Sequence, residues 1–162
     1  MRKRAGRKLL FFGAIICCAV SCYGTAERST PCPELSPAAD SKFVPGQVWS
    51  YQTRDTEPFS TLTILKVESE PKLGTIIHIR VDRIRLHNCS GGPEPNQLEH
   101  APFTREALDR SVVKLLRQDA VLPTMEGYEQ WRRDCGGVYA ITVAQMLTVD
   151  EQTFNAGMGC KG

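Results

Sequence analysis

Apolar and polar residues alternate most strictly between Thr75 and Leu86 (TIIHIRVDRIRL). Ile77, Ile79 and Val81 fall on one side of an extended chain, with His78, Arg80 and Asp82 on the other. That pattern predicts a strand with one buried and one solvated face. The apolar phase then moves to Ile84 and Leu86, a slip that a β-bulge near Asp82-Arg83 would absorb. Two upstream segments share strand character. Gly46 to Thr53 (GQVWSYQT) sets Trp49 and Tyr51 on a common face, and Ser60 to Glu68 (STLTILKVE) concentrates Thr, Ile, Leu and Val. Glu70-Pro71-Lys72-Leu73-Gly74 reads as the turn between the second and third strands.

Cys89 to Pro102, rich in Gly and Pro, reads as a loop, and helical spacing follows it. Thr104 is placed to cap a helix from Arg105 to about Gln118, with Leu108, Val112, Leu115 and Leu116 on one face. A second helix is expected from Met125 to Cys135, with Tyr128, Trp131 and Cys135 along one stripe and Gly136-Gly137 as its stop. Val138 to Val143 reads as a last strand and Ala144 to Phe154 as a last helix, within which Thr148-x-x-Glu151 has the form of a capping box. The order β-β-β-α-α-β-α predicts an α+β fold: an antiparallel sheet of about four strands with two or three helices on one face.

The N-terminus changes the picture of charge and compartment. A basic start is followed by an uncharged run of 12 residues, Leu9 to Val20. A helix needs about 20 residues to cross a bilayer, so this is read as the apolar core of an export signal covering residues 1–21. Ala19-Val20-Ser21-Cys22 resembles a lipobox, with Cys22 as the lipidation site; cleavage after Gly24 or Ala26 is the alternative. Five of the 20 basic residues (Arg2, Lys3, Arg4, Arg7, Lys8) and none of the 18 acidic ones precede Cys22, leaving 15 against 18 and a net charge of −3. Without clustered positive charge, no electrostatic case for nucleic acid remains. Ser29 to Pro45 holds Pro31, Pro33, Pro37 and Pro45. Residues 22–44 are therefore read as a proline-rich tether, and 45–162 as a single domain.

Of seven cysteines, Cys17 and Cys18 belong to the signal and Cys22 to its cleavage point. Cys32, Cys89, Cys135 and Cys160 remain, an even set that predicts two disulfides in an oxidising compartment. Positions at element ends favour Cys32–Cys89 or Cys89–Cys135. No CxxC pair suggests zinc, and His87-Asn88-Cys89 is the one close His/Cys couple.

Candidate chemistry is sparse. There is no GxSxG, HExxH or P-loop, and Gly91-Gly92 and Gly136-Gly137 are too short to cradle phosphate. His78 is expected on a solvated strand face, while His87 and His100 flank the Gly/Pro loop and are placed to meet. Glu68 and Glu70, before the turn, and Glu94 and Glu99, in the loop, read as solvated charge. Asn88-Cys89-Ser90 matches a glycosylation sequon only by its letters. Trp49, Tyr51, Phe59, Tyr128 and Trp131 are expected to pack helices onto the sheet or to line a binding surface. Arg80, Arg83 and Arg85, with Arg132 and Arg133, suggest a positive patch. No catalytic, cofactor-binding or metal-ligating residue is nominated, and no cofactor is expected.

The blocks GQVWSYQTR, STLTILKVESEPKLG and IIHIRVD, followed by APFTREALDRSV and EGYEQWR, resemble a family of small uncharacterised bacterial proteins. The resemblance spans roughly Val44 to Phe154. It implies an α+β domain of bacterial origin and transfers no catalytic residue. Cys89, Cys135 and Cys160 lie outside the shared pattern. The expectation for function is a non-catalytic envelope lipoprotein that binds a protein or envelope component and touches the membrane only through its lipid. The alternatives are a periplasmic immunity or inhibitor protein, and an envelope hydrolase using acids and histidines beside the Cys89–Pro102 loop.

Overall fold

The computed structural model describes residues 32–160. The expected export signal, the expected lipidation site Cys22 and the alternative cleavage points at Gly24 and Ala26 lie outside the described residues. Six strands and three helices follow one another as β1 (Ser36–Pro37), β2 (Val48–Tyr51), β3 (Thr61–Glu70), β4 (Gly74–Asp82), β5 (Gln97–Thr104), α1 (Arg105–Ser111), β6 (Val112–Arg117), α2 (Glu126–Arg133) and α3 (Val143–Gly157). The strands form one open sheet in the order β5-β4-β3-β2-β6. All named pairings are antiparallel, and β1 joins the β3 margin beyond the end of β2. The class is α+β, with more strands than expected.

Residues that face each other across β3 and β4 explain the core. Leu62 pairs with Val81, Ile64 with Ile79 and Val67 with Ile77, so three apolar pairs share one face. Phe103, Trp49 and Tyr51 join them, and Ala107 and Leu108 of α1 and Val143, Met146 and Leu147 of α3 cover them. Between Ile64 and Lys66 the register slips, leaving Leu65 as an extra residue on β3. Such a bulge reverses the side on which later residues emerge. Val67 therefore keeps to the core, while Lys66 and Glu68 turn to the opposite face. The other slip, expected near Asp82-Arg83, ends β4: Arg83 takes a left-handed φ of 58°. Ile84 and Leu86 then bury themselves in an extended segment held by Asn96 and Pro95 carbonyls.

Four expectations about the elements from Cys89 onward need correction. The stretch ending at Pro102 is not all loop, because Gln97–Thr104 forms β5, and Pro102 is tolerated on this outer strand. The helix from Arg105 is capped by Thr104 as expected but stops at Ser111. There Val112 turns extended and β-branched Val112-Val113 enter β6, pairing with β2. Val138–Val143 makes only an isolated bridge, Tyr139 to Phe103, before Thr142 and Gln145 form the capping box of α3. Finally, the helices do not share one face. α2 packs on the side that carries His78, opposite α1 and α3.

Residues 32–44, expected within the tether, belong to the fold. Ala38 N donates to Val67 O at 3.1 Å, the Asp40 carboxylate accepts from the amides of Lys42 and Phe43, and Phe43 is fully buried. Prolines allow this because β1 is two residues long and needs few donors. The cysteines pair as Cys32–Cys135 and Cys89–Cys160, neither of the favoured combinations. The pairing follows tertiary contact. Cys135 sits at the left-handed end of α2, where Gly136 N reaches Trp131 O and Cys135 N reaches Arg132 O. The residue in the left-handed conformation is thus Cys135 rather than the expected glycine pair. Two bridges fit a chain that folds outside the cytosol. Among the described residues no helix is long and apolar enough to cross a membrane.

The Cys32–Cys135 bridge spans 103 residues of sequence. Closing a loop of that length stabilises by roughly 4 to 5 kcal/mol in the chain-entropy account. The Cys32→Ser/Cys135→Ser double variant should accordingly lose about 2 to 5 kcal/mol in urea unfolding. An unchanged midpoint and slope would show that the bridge constrains nothing.

Candidate functional site

Three strands and one helix deliver a polar cluster to the face opposite the main core. The β3 bulge aims Lys66 and Glu68 there, and β4 presents His78 directly across from Lys66. His100 comes from β5. Tyr128 and Trp131 lie three residues apart on α2 and therefore on one side of it. Gly127 lets α2 sit close: a Cβ there would come within 2.9 Å of His100 Cβ. Replacing Gly127 by Ala should force α2 away from β5 and lower the thermal midpoint by several degrees; an unchanged midpoint would show that the helix has room to spare.

Glu68 is buried and accepts from the Tyr128 hydroxyl at 3.0 Å, with Lys66 Nζ 2.9 Å from its other oxygen. Lys66 Nζ also donates to Tyr128 Oη at 2.7 Å and stands 4.2 Å from that ring's centre. Burial works against the ammonium, but its bonds to Tyr128 and Glu68 outweigh that and raise its pKa. His78 has no exposed surface, and its Nδ1 lies 2.9 Å from His100 Nε2. The two imidazoles stack, with the edges of Tyr128 and Trp131 against His78. His78 Nε2 is 3.1 Å from Glu68 Oε2, yet makes no well-directed hydrogen bond, so the contact is electrostatic proximity.

Burial pulls His78 down to about 3, helped by the positive charge of Lys66 and Arg132 and by any charge on His100. Burial alone brings His100 down to about 4. Both rings are neutral at pH 7. A bare Nε2 lone pair on His78 would face a carboxylate; the opposite tautomer, with Nε2–H toward Glu68 and Nδ1 accepting from His100, removes that repulsion. A base this weak is poorly matched to proton abstraction near neutrality, where the useful pKa lies near the working pH. Glu68, for its part, is already held by Lys66 and Tyr128. The cluster positions α2 on the sheet. Among the described residues, no group of three His, Cys, Asp or Glu side chains has metal-binding geometry.

The remaining sequence candidates fall elsewhere. His87 does not meet His100; its Nδ1 lies 3.0 Å from Glu94, which also takes Arg85 at 2.7 Å. His78, Glu68 and Glu70 are buried rather than solvated, the last because its carboxylate accepts the Lys72 and Leu73 amides of the turn. Glu99 is exposed beside His100. The part of the arginine patch from Arg80 to Arg85 is tied down, Arg80 pairing with Asp82, Arg85 with Glu94, and Arg83 donating to Thr61, while Arg132 and Arg133 on α2 have no carboxylate partner among the described residues. Asn88 of the sequon is buried, bonded to Ser90 and the Pro93 carbonyl. Trp49 and Tyr51 pack in the core, whereas Phe59 stands in solvent. An open cleft of about 510 Å³ lies beside the cluster, bounded by His100, Gln130, Trp131, Asp134 and Tyr139. The Trp131 indole is pinned over Gly136, with Nε1 donating to Gly137 O at 2.9 Å.

A feature that the sequence reading missed lies at the sheet edge. β6 pairs with β2 on one side and is the terminal strand on the other. Its register, Arg117 to Val48, Leu115 to Trp49, Lys114 to Ser50 and Val112 to Tyr51, leaves Val113 and Leu116 as extra residues in two bulges. Both are exposed, Val113 at 64% and Leu116 at 49%. Ala120 N donates to Gly46 O at 3.0 Å, which carries the same edge on to the exposed Val121 and Leu122. Edge strands are guarded by charge, by bulges, by proline or by short length, and this edge carries both charge and bulges. Here Lys114 and Arg117, without a carboxylate partner among the described residues, alternate with outward apolar side chains. Run as a helix, Val112 to Leu116 looked like one buried face. The repeated β-branched pair was the signal for the strand.

No known protein family, curated protein or solved structure matches this chain.

Proposed function

We propose that this chain is an exported bacterial envelope protein, held by lipid at Cys22, that binds a protein or envelope component and performs no catalysis. The observation that carries the reading is the β6 edge, unpaired among the described residues, whose two bulges turn Val113 and Leu116 outward beside Lys114 and Arg117, which have no carboxylate partner among those residues. Apolar side chains exposed on a sheet margin cost solubility unless something covers them. The most conspicuous ionisable cluster supports the same reading, because its histidines are neutral, packed and weakly basic. The basic signal, the short apolar run and the two bridges agree with export.

The test places a photocrosslinking residue at Val113 or Leu116 of the full chain in its native host, with Gln152 on α3 as control. A discrete adduct at the β6 positions, absent at Gln152, with the Val113 adduct lost when Leu116→Asp is combined with Lys114→Glu, is the expected result. Those exposed substitutions should leave stability within about 0.5 kcal/mol. Identical labelling at all three positions, or none at β6, would remove the edge from the account of function.

A further inference from the structure

A second concavity, of about 230 Å³, shares the Trp131 to Val138 wall with the open cleft. Leu35, Leu73, Ile76, Trp131 and Val138 make it apolar, and the Cys32–Cys135 bridge borders it. Its two charged lining residues are Glu70 and Arg132. They are not equivalent. Glu70 Oε2 accepts the amides of Lys72 at 2.8 Å and Leu73 at 2.5 Å, which ties that side chain to its own turn. The Arg132 guanidinium has no carboxylate within ion-pair distance among the described residues. A pocket with greasy walls and one uncommitted guanidinium selects for a ligand with the converse charge layout.

We propose that this cavity binds a small amphiphilic carboxylate, its apolar body against Trp131, Ile76 and Val138 and its carboxylate on Arg132. Size sets the body. An apolar cavity of about 150 Å³ holds benzene, so the larger volume here suits roughly eight to ten non-hydrogen atoms. A guanidinium matches a carboxylate with two parallel N–H donors, which fixes the orientation of the ligand as well as its charge. The bridge keeps the Cys32 segment and the end of α2 together, so the walls exist before the ligand arrives and binding need not order them. This site is separate from the β6 edge, which contributes no lining residue, and the two readings succeed or fail independently.

Octanoate and octan-1-ol are the probes, titrated by calorimetry into the mature protein with both bridges intact. Octanoate should bind saturably near or below about 1 mM, the affinity that a ligand of this size reaches. Octan-1-ol should bind at least tenfold more weakly. Arg132→Gln should erase that preference, weakening octanoate at least tenfold while leaving octan-1-ol within twofold. Val138→Phe, which fills the cavity, should abolish both. Equal binding of alcohol and acid by the unmodified protein overturns the proposal without recourse to any variant. So does the absence of heat and of shifted amide resonances up to about 10 mM octanoate, or an Arg132→Gln protein that melts normally and binds octanoate unchanged.

Discussion

Lowering the pH from 7 to 4.5 should cost this protein roughly 2 to 3 kcal/mol through His78 alone. The sign follows from where the protons go. In the unfolded chain an imidazole takes up a proton near pH 6.5, but in the folded protein burial holds His78 near 3 and His100 near 4. Between those values the unfolded state binds more protons, so stability rises with pH: it is complete above about 6.5 and is lost progressively as pH falls toward the folded values. The groups facing the pair do not reverse this. Lys66 and Arg132 oppose a charge on His78, and Tyr128 directs its hydroxyl to Glu68. Glu68, 3.1 Å from His78, is shared with Lys66. Near pH 5 the two histidines together give a slope of roughly 2 to 3 kcal/mol per pH unit, and a His78→Leu variant, less stable at pH 7, should show about half of it. Urea unfolding at several pH values measures both slopes. A curve flat from pH 7 to 5 would mean that neither ring is held neutral by the fold.

The other large effect concerns Glu68. Its removal, as Glu68→Leu, leaves an ammonium and a hydroxyl that had been built around a carboxylate. Breaking a buried pair costs roughly 3 to 5 kcal/mol. The lower end is expected, because the Lys66 side chain keeps 35% of its surface in water and can partly rehydrate. Replacing all three members, as Lys66→Met/Glu68→Leu/Tyr128→Phe, should recover most of that loss, since an apolar cluster has no stranded charge. The comparison is a coupling measurement. If the triple variant is as unstable as the sum of its single changes, the three side chains act separately and do not fasten α2 as a unit.

How far the sequence could be read follows one divide. Alternation in Thr75–Asp82 correctly put Ile77, Ile79 and Val81 together, and it put His78 with Arg80 on the other side. It did not say what lies over that other side. Arg80 remains near water with Asp82, whereas His78, two residues earlier, is sealed under Tyr128 and Trp131. The same gap hid the role of Glu68, whose placement depends on the unforeseen bulge at Leu65. β5 was missed because Glu99, His100 and Pro102 are poor strand formers that pairing with β4 overrides. The Cys89–Pro102 loop pointed to His87 as a partner for His100, but the partner proved to be His78 on β4.

By itself the sequence determined the local facts: alternating strands, Thr104 as a helix cap, an even set of four cysteines from Cys32 onward, and the mixed α+β class. Each rests on contacts between residues a few positions apart, which the chain specifies directly. The tertiary structure alone decided which cysteines bond, which face α2 covers, that residues 32–44 join the domain, and that Val113 and Leu116 point outward. Those outcomes depend on groups tens of residues apart meeting in space, where a single extra residue in a strand reverses a whole face.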